Sequence, residues 1–122
     1  IAMFTINERF DIERQLIQSL GFEIARGAWL PGEAMPPARE LAQQKILNPR
    51  LVEAAYAELA KQEVLVVAPD GTCRVSNEAP GLARRLLLHW AKDELDGIAE
   101  MLRIAGVPAD EVRRLWKEAH DA

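Results

Sequence analysis

Apolar residues near the start of the chain recur every four positions: Ile12, Leu16, Leu20 and Ile24 share one stripe of a helix predicted from Asp11 to Arg26. Gly27 follows as its C-terminal stop. Gly21, inside the helix, costs about 1 kcal/mol relative to alanine, which marks a close contact or a weak point. The Pro/Gly-rich stretch LPGEAMPP, residues 30–37, reads as a connection. Pro37 suits the first turn of a second helix, Pro37 to Lys45, because the amide it lacks would have no intrahelical partner. In that helix Leu41 and Ala42 face inward and Arg39 points away. A third helix opens in LNPRLVEAAYAEL, residues 47–59. Asn48 is a favoured N-cap and Pro49 is pre-shaped for the first helical position. Val52, Ala55, Tyr56 and Leu59 then fall inward, while Arg50, Leu51, Glu53, Ala54 and Ala57 lie on or beside the outward face.

After Gln62 the pattern changes period. VLVVA, PDGT and CRVS read as strand, turn and strand. Three helices followed by a hairpin is the order of a winged helix. Beyond it, Ala83, Leu87, Ala91, Leu95, Ile98, Leu102 and Ala105 alternate by four and three residues, a seam that a lone helix cannot hide from water. Gly106 ends that helix. Pro108, Asp110 and Glu111 then form an acid-rich first turn for a last amphipathic helix carrying Val112, Leu115, Trp116 and Ala119. The sequence therefore predicts a mainly α protein with a small β-hairpin. Residues 1–77 form a winged helix-turn-helix domain, and residues 78–122 a C-terminal two-helix hairpin whose seam requires a partner.

Composition narrows the chemistry. At 122 residues, 49% of them hydrophobic, the chain is about one domain in size. No apolar run approaches the roughly 18 residues of a membrane span, and no leader pattern opens the chain, so a cytoplasmic location without membrane association is expected. The single cysteine, Cys73, excludes an internal disulfide and reads as a small apolar filler in a strand. With only His89 and His120 there is no metal-ligand spacing, and neither metal nor cofactor is expected. A formal charge of −4 argues against indiscriminate nucleic-acid binding, though not against a locally basic face. No nucleophile–base pair, paired-carboxylate site or phosphate loop can be assembled, so an enzyme is not expected.

The stretch GAWLPGEAMPPARELA, residues 27–42, resembles the motif of the GntR superfamily of bacterial transcription regulators: glycine, Leu-x-Pro-Gly, Leu-Pro-Ser-x-Arg and Leu-Ala. NPRLVEAAYAEL, residues 48–59, is similar to the family's Asn-Pro-x-Thr-Val-x-x-Ala-Tyr-x-x-Leu. The Asn-Pro form, with only two helices in place of a large effector domain, points to the YtrA-type branch. The resemblance implies a homodimeric repressor that binds double-stranded operator DNA at an inverted repeat. It also implies DNA contacts. Arg39 matches the arginine of the Leu-Pro-Ser-x-Arg motif, and Asn48 and Arg50 fall on the recognition-helix start. Leu51 stands where the family has threonine, Pro37 where serine caps, and Glu63 where glycine usually ends the third helix.

Lys45 suits a phosphate contact, and Gly71 and Arg74 bring backbone and charge to the wing. The dimerisation seam is Leu87, Ala91, Leu95, Ile98 and Leu102. The tail beyond Ser76 is too short to enclose a ligand site of the usual ~300–1,000 Å³, so no dedicated effector pocket is expected, and regulation would act through abundance, a partner or a ligand held between subunits. Residues 39–63 carry four basic residues (39, 45, 50, 61) and four acidic ones (40, 53, 58, 63), a formal balance of zero. That balance keeps a second reading open: a winged helix that has lost DNA binding and now serves as a protein-interaction module.

Overall fold

The computed structural model describes residues 12–121; of the expected elements, only Asp11 at the head of the first helix lies outside that range. The chain divides into two compact units, one ending at Leu87 and the other beginning at Leu88. The division expected at residue 77 was one of role, which compactness does not test.

In the first unit α1 spans Ile12–Ala25, α2 Ala38–Lys45 and α3 Pro49–Lys61. The four-residue stripe of α1 is its buried face, with Leu16, Leu20 and Ile24 showing no exposed surface. Gly27 takes the left-handed conformation (φ +86°) that the stop requires. α1 and α2 both pack on α3, and α3 in turn meets the first strand. Val52, Ala55, Tyr56 and Leu59 are the buried face of α3, as their spacing predicts. With Val64, Leu65 and Val75 they complete the core. Each fully buried aliphatic side chain contributes about 1.5–3 kcal/mol.

Pro37 sits one residue earlier than expected. It occupies the N-cap position of α2 (φ −54°, ψ 146°) and offers no side-chain cap. At the other end Ile46 turns left-handed (φ 55°), and the amides of Ile46 and Leu47 close onto the carbonyls of Gln43 and Ala42 at 3.4 and 2.8 Å. Glu63 does the same after α3 (φ 64°) and lets the Val64 amide reach the Leu59 carbonyl at 2.9 Å.

Strands β1 (Leu65–Val67) and β2 (Cys73–Val75) pair antiparallel, Leu65 opposite Val75 and Val67 opposite Cys73. Gly71, at φ +86°, supplies the turn between them. The stretch before α2 is more than a connection, because Ala34 bridges Arg74 across the free edge of β2. Three backbone bonds fix it there: Gly32 N–H to the Val75 carbonyl (2.7 Å), Val75 N–H to Glu33 (2.9 Å) and Met35 N–H to Cys73 (2.8 Å). β2 is thus the middle of three short extended segments.

Helix α4 (Ala79–Ile104) begins in the first unit and runs into the second; α5 spans Ala109–Asp121. Ala79 and Ala83 are completely buried. Ala83 therefore belongs to the packing of its own chain, which separates it from the seam into which its spacing placed it. The rest of the seam is open in the single chain: Leu87 and Leu102 are half-buried, while Ala91, Leu95, Ile98 and Ala105 are exposed. Gly106 (φ +87°) turns the chain, and the Pro108 carbonyl accepts from the amides of Glu111 and Val112 to start α5. Leu115 and Trp116 on α5 are also more than half exposed. No helix among the described residues is long and apolar enough to cross a membrane.

Candidate nucleic-acid interface

The start of α3 is fixed by two adjacent residues. Asn48, in an extended conformation, accepts a bond from the Arg50 amide through its side-chain oxygen at 2.9 Å, and Pro49 follows at the first helical position. This satisfies one of the amides that every helix leaves unpaired at its start. The Arg50 side chain emerges on the first turn, exposed and, among the described residues, without an ion pair. No acidic residue lies on that turn. The positive end of the α3 dipole and the guanidinium therefore act together on any anion. Leu51 is half-buried beside it, its amide bonded to the Asn48 carbonyl at 2.9 Å.

Arg39, on the first turn of α2, is likewise exposed and without an ion pair among the described residues. It lines a shallow depression with Ile46 and Pro49, so it lies beside the start of α3. The buried Tyr56 hydroxyl donates to the Pro36 carbonyl at 2.7 Å and anchors the segment that leads into α2. Burial, with smaller contributions from Cys73 and Glu40, raises the Tyr56 pKa, so the phenol stays a neutral donor.

Lys45 is placed differently. Its ammonium lies 3.8 Å from a Glu23 carboxylate oxygen, and the other oxygen of Glu23 accepts the Trp29 indole N–H at 2.8 Å. The lysine charge is answered inside the fold, by a partner on α1 that no local spacing reveals. On the wing, Arg74 donates to the Gly32 carbonyl at 3.2 Å, which directs it toward the loop before α2 and away from the turn. Gly71 stands on the turn itself, next to Asp70, whose side chain accepts the Thr72 amide at 2.9 Å. Bonds from the Thr72 side chain and amide, aided by the charge of Arg74, hold the Asp70 carboxyl below its ordinary pKa.

Asn48, Arg50 and Leu51 thus stand together at the head of α3, Arg39 lines the depression that reaches Pro49, Gly71 and Arg74 lie on the wing, and Lys45 turns to α1. Not expected from the sequence is Ile46, which is 90% exposed between α2 and α3. It carried no signal because the position lacks the glycine that a left-handed turn favours. Also unforeseen is a cleft of about 660 Å³ between α3, the segment before α2 and the wing.

Residues 12–75 match the family model described as bacterial regulatory proteins, gntR family. Over 107 residues the chain is 27% identical to the HTH-type transcriptional repressor YtrA of Bacillus subtilis (strain 168), an alignment covering 88% of this chain and 82% of that protein. Among solved structures, a GntR family transcriptional regulator from Listeria monocytogenes superposes with a TM-score of 0.77 at 20% identity, covering 93% of this chain and 98% of its own. YtrA from Sulfolobus acidocaldarius, a GntR-family transcription factor, gives 0.59 at 26% identity, with coverage of 76% and 98%.

Proposed function

We propose that this chain, which belongs to the GntR family of bacterial regulatory proteins and is a DNA-binding transcription regulator of the YtrA type, acts as a homodimeric repressor at an inverted-repeat operator. Its relatives are regulators and not enzymes. The observation that carries the proposal is the pair of exposed arginines, Arg39 and Arg50, each on the first turn of its helix and neither held by an ion pair among the described residues. A major groove about 12 Å wide admits one helix, and arginine on its first turns reads guanine by two parallel bonds.

Arg50 is the base-reading residue and Arg39 the phosphate contact beside it. Asn48 sets the helix start, Leu51 packs next to it, and Gly71 with Arg74 brings the wing to the duplex. Lys45, already paired with Glu23, contributes least. Residues 1–77 carry the DNA-binding role and 78–122 the pairing of subunits through Leu87, Ala91, Leu95, Ile98 and Leu102. Repression follows the role named for the Bacillus relative, and the work is done in the cytoplasm, where the operator is. In a twofold dimer the two α3 helices meet half-sites one helical turn, about 34 Å, apart or a multiple of it.

Operator titrations at several salt concentrations test the assignment. Arg50→Ala should cost about 1–3 kcal/mol per half-site and blur the preferred base. Arg39→Ala should weaken binding to all sequences and flatten the salt dependence by about one counterion per subunit. The zero formal charge of residues 39–63 favours the interaction-module reading. That reading prevails if both variants bind like wild type, or if wild type does not prefer any operator over random DNA.

A further inference from the structure

The cleft of about 660 Å³ between α3, the segment before α2 and the wing has a chemistry at odds with the nucleic acid it borders. Its volume falls within the ~300–1,000 Å³ of small-molecule sites. Most of its wall is apolar, including Met35, Pro36, Ala57 and Val67. Val67 is 61% exposed although it sits in a strand, so the cleft presents apolar surface that none of the described residues covers. Among the described residues its only charged lining residues are both carboxylates, Glu53 and Asp70. Glu53 has no hydrogen bond or ion pair among the described residues, and Asp70 is engaged by Thr72 and, at longer range, by the charge of Arg74. Arg74, the cation closest in effect to Asp70, is tied to the Gly32 carbonyl and does not line the cleft. A phosphate would meet the wrong charge here. A small apolar cation would meet both complements at once, a hydrophobic wall and two carboxylates, of which Glu53 has no partner among the described residues.

We propose that this cleft is a binding site for a small hydrophobic organic cation, an ammonium or phosphonium with aromatic or branched substituents, and that its occupancy competes with operator DNA. The second half rests on the function proposed above. Glu53 and Ala57 stand three and seven residues after Arg50 on one stripe of α3, so an occupant sits within two turns of the base-reading residue. The short tail beyond Ser76 leads to the expectation of no dedicated effector pocket anywhere in the chain; this cleft lies before Ser76, and a cation held there by a single chain overturns that expectation.

Cys73, the only cysteine of the chain, lines the same cleft and serves as the reporter. The experiment uses the full chain at physiological salt, with tetraphenylphosphonium as probe and tetraphenylborate as its counterpart of equal shape and opposite charge. Tetraphenylphosphonium should slow modification of Cys73 by a thiol reagent saturably, by about tenfold, and tetraphenylborate should not. Glu53→Gln combined with Asp70→Asn should raise the half-protecting phosphonium concentration about tenfold while the variant still melts cooperatively. Absence of protection, equal protection by both ions, or protection unchanged in the double variant overturns the site. On operator DNA, tetraphenylphosphonium should release wild type and spare the double variant. Protection of the thiol without release overturns the competition alone. A chain that prefers no operator even before the probe is added overturns the DNA-binding reading, and the thiol measurements then decide the cation site by themselves.

Discussion

Replacing Asn48 by alanine deletes the side-chain oxygen that holds the Arg50 amide at the head of α3. The bond is exposed, so the freed amide finds water and the cost is that of an ordinary lost cap, about 0.5–2 kcal/mol, without the penalty of a buried orphan donor. Pro49 remains to preset the backbone at the first helical position. That places the loss in the lower half of the range, about 0.5–1 kcal/mol. In a chain of 122 residues each kcal/mol moves the melting temperature by roughly 4 °C, so Asn48→Ala should melt about 2–4 °C below wild type. Asn48→Asp keeps the acceptor and adds a negative charge at the positive end of the helix dipole, worth about 0.3–1 kcal/mol. It should melt at or above wild type. On DNA the order reverses, because the new carboxylate faces phosphate beside Arg50: the aspartate variant should bind operator more weakly than the alanine variant, the more so at low salt. Thermal melts followed by circular dichroism, paired with anisotropy titrations on operator DNA, read both axes. An alanine variant that melts like wild type would refute the cap argument, and an aspartate variant that binds like wild type would refute placing this corner against DNA.

Ile46→Gly and Glu63→Gly should each stabilise the fold by about 0.5–1 kcal/mol, since left-handed backbone costs a side-chain-bearing residue about 1–2 kcal/mol and glycine returns part of that through its freer unfolded chain. Urea midpoints should rise with unchanged slopes; a fall in either would show that the side chain has a compensating role. Tyr56→Phe removes the bond to the Pro36 carbonyl and should cost about 0.5–1.5 kcal/mol in the same assay; no loss would mean water replaces it freely. Wild type should have the mass of two chains at micromolar concentration, and Leu95→Glu with Ile98→Glu, on the open seam, should have the mass of one. A monomeric wild type would remove the homodimer, and with it the twofold operator.

The elements with local causes were legible. Asn48 and Pro49 announce the start of α3 through cap chemistry and a fixed φ, and the Pro-Asp-Gly turn announces the wing, so their positions follow from a few adjacent residues. What escaped depended on distant partners or on residues that carry no signal. The bridge of Ala34 to β2 is hidden because a Pro/Gly-rich stretch reads as loop whether or not its amides pair. The pairing of Lys45 with Glu23 is hidden because the partner stands on α1, far away in sequence. Ala83 follows the same heptad-like spacing as Leu95, yet it is buried in its own chain, and spacing cannot tell one kind of cover from the other. The cleft beside α3 comes from the juxtaposition of three segments, each unremarkable alone.

The backbone bonds joining Gly32, Glu33 and Met35 to β2 bear on how such a protein can be recombined. The wing is not a detachable arm. A graft that moved only residues 65–75 into a relative would strip the Val75 amide and the Cys73 and Val75 carbonyls of their partners, at about 0.5–1.5 kcal/mol for each bond. It would also release the segment that delivers Arg39. The smallest transplantable cassette therefore runs from Gly32 to Val75 and carries α2 and α3 with it, so specificity from the wing and from the recognition helix is inherited as one block.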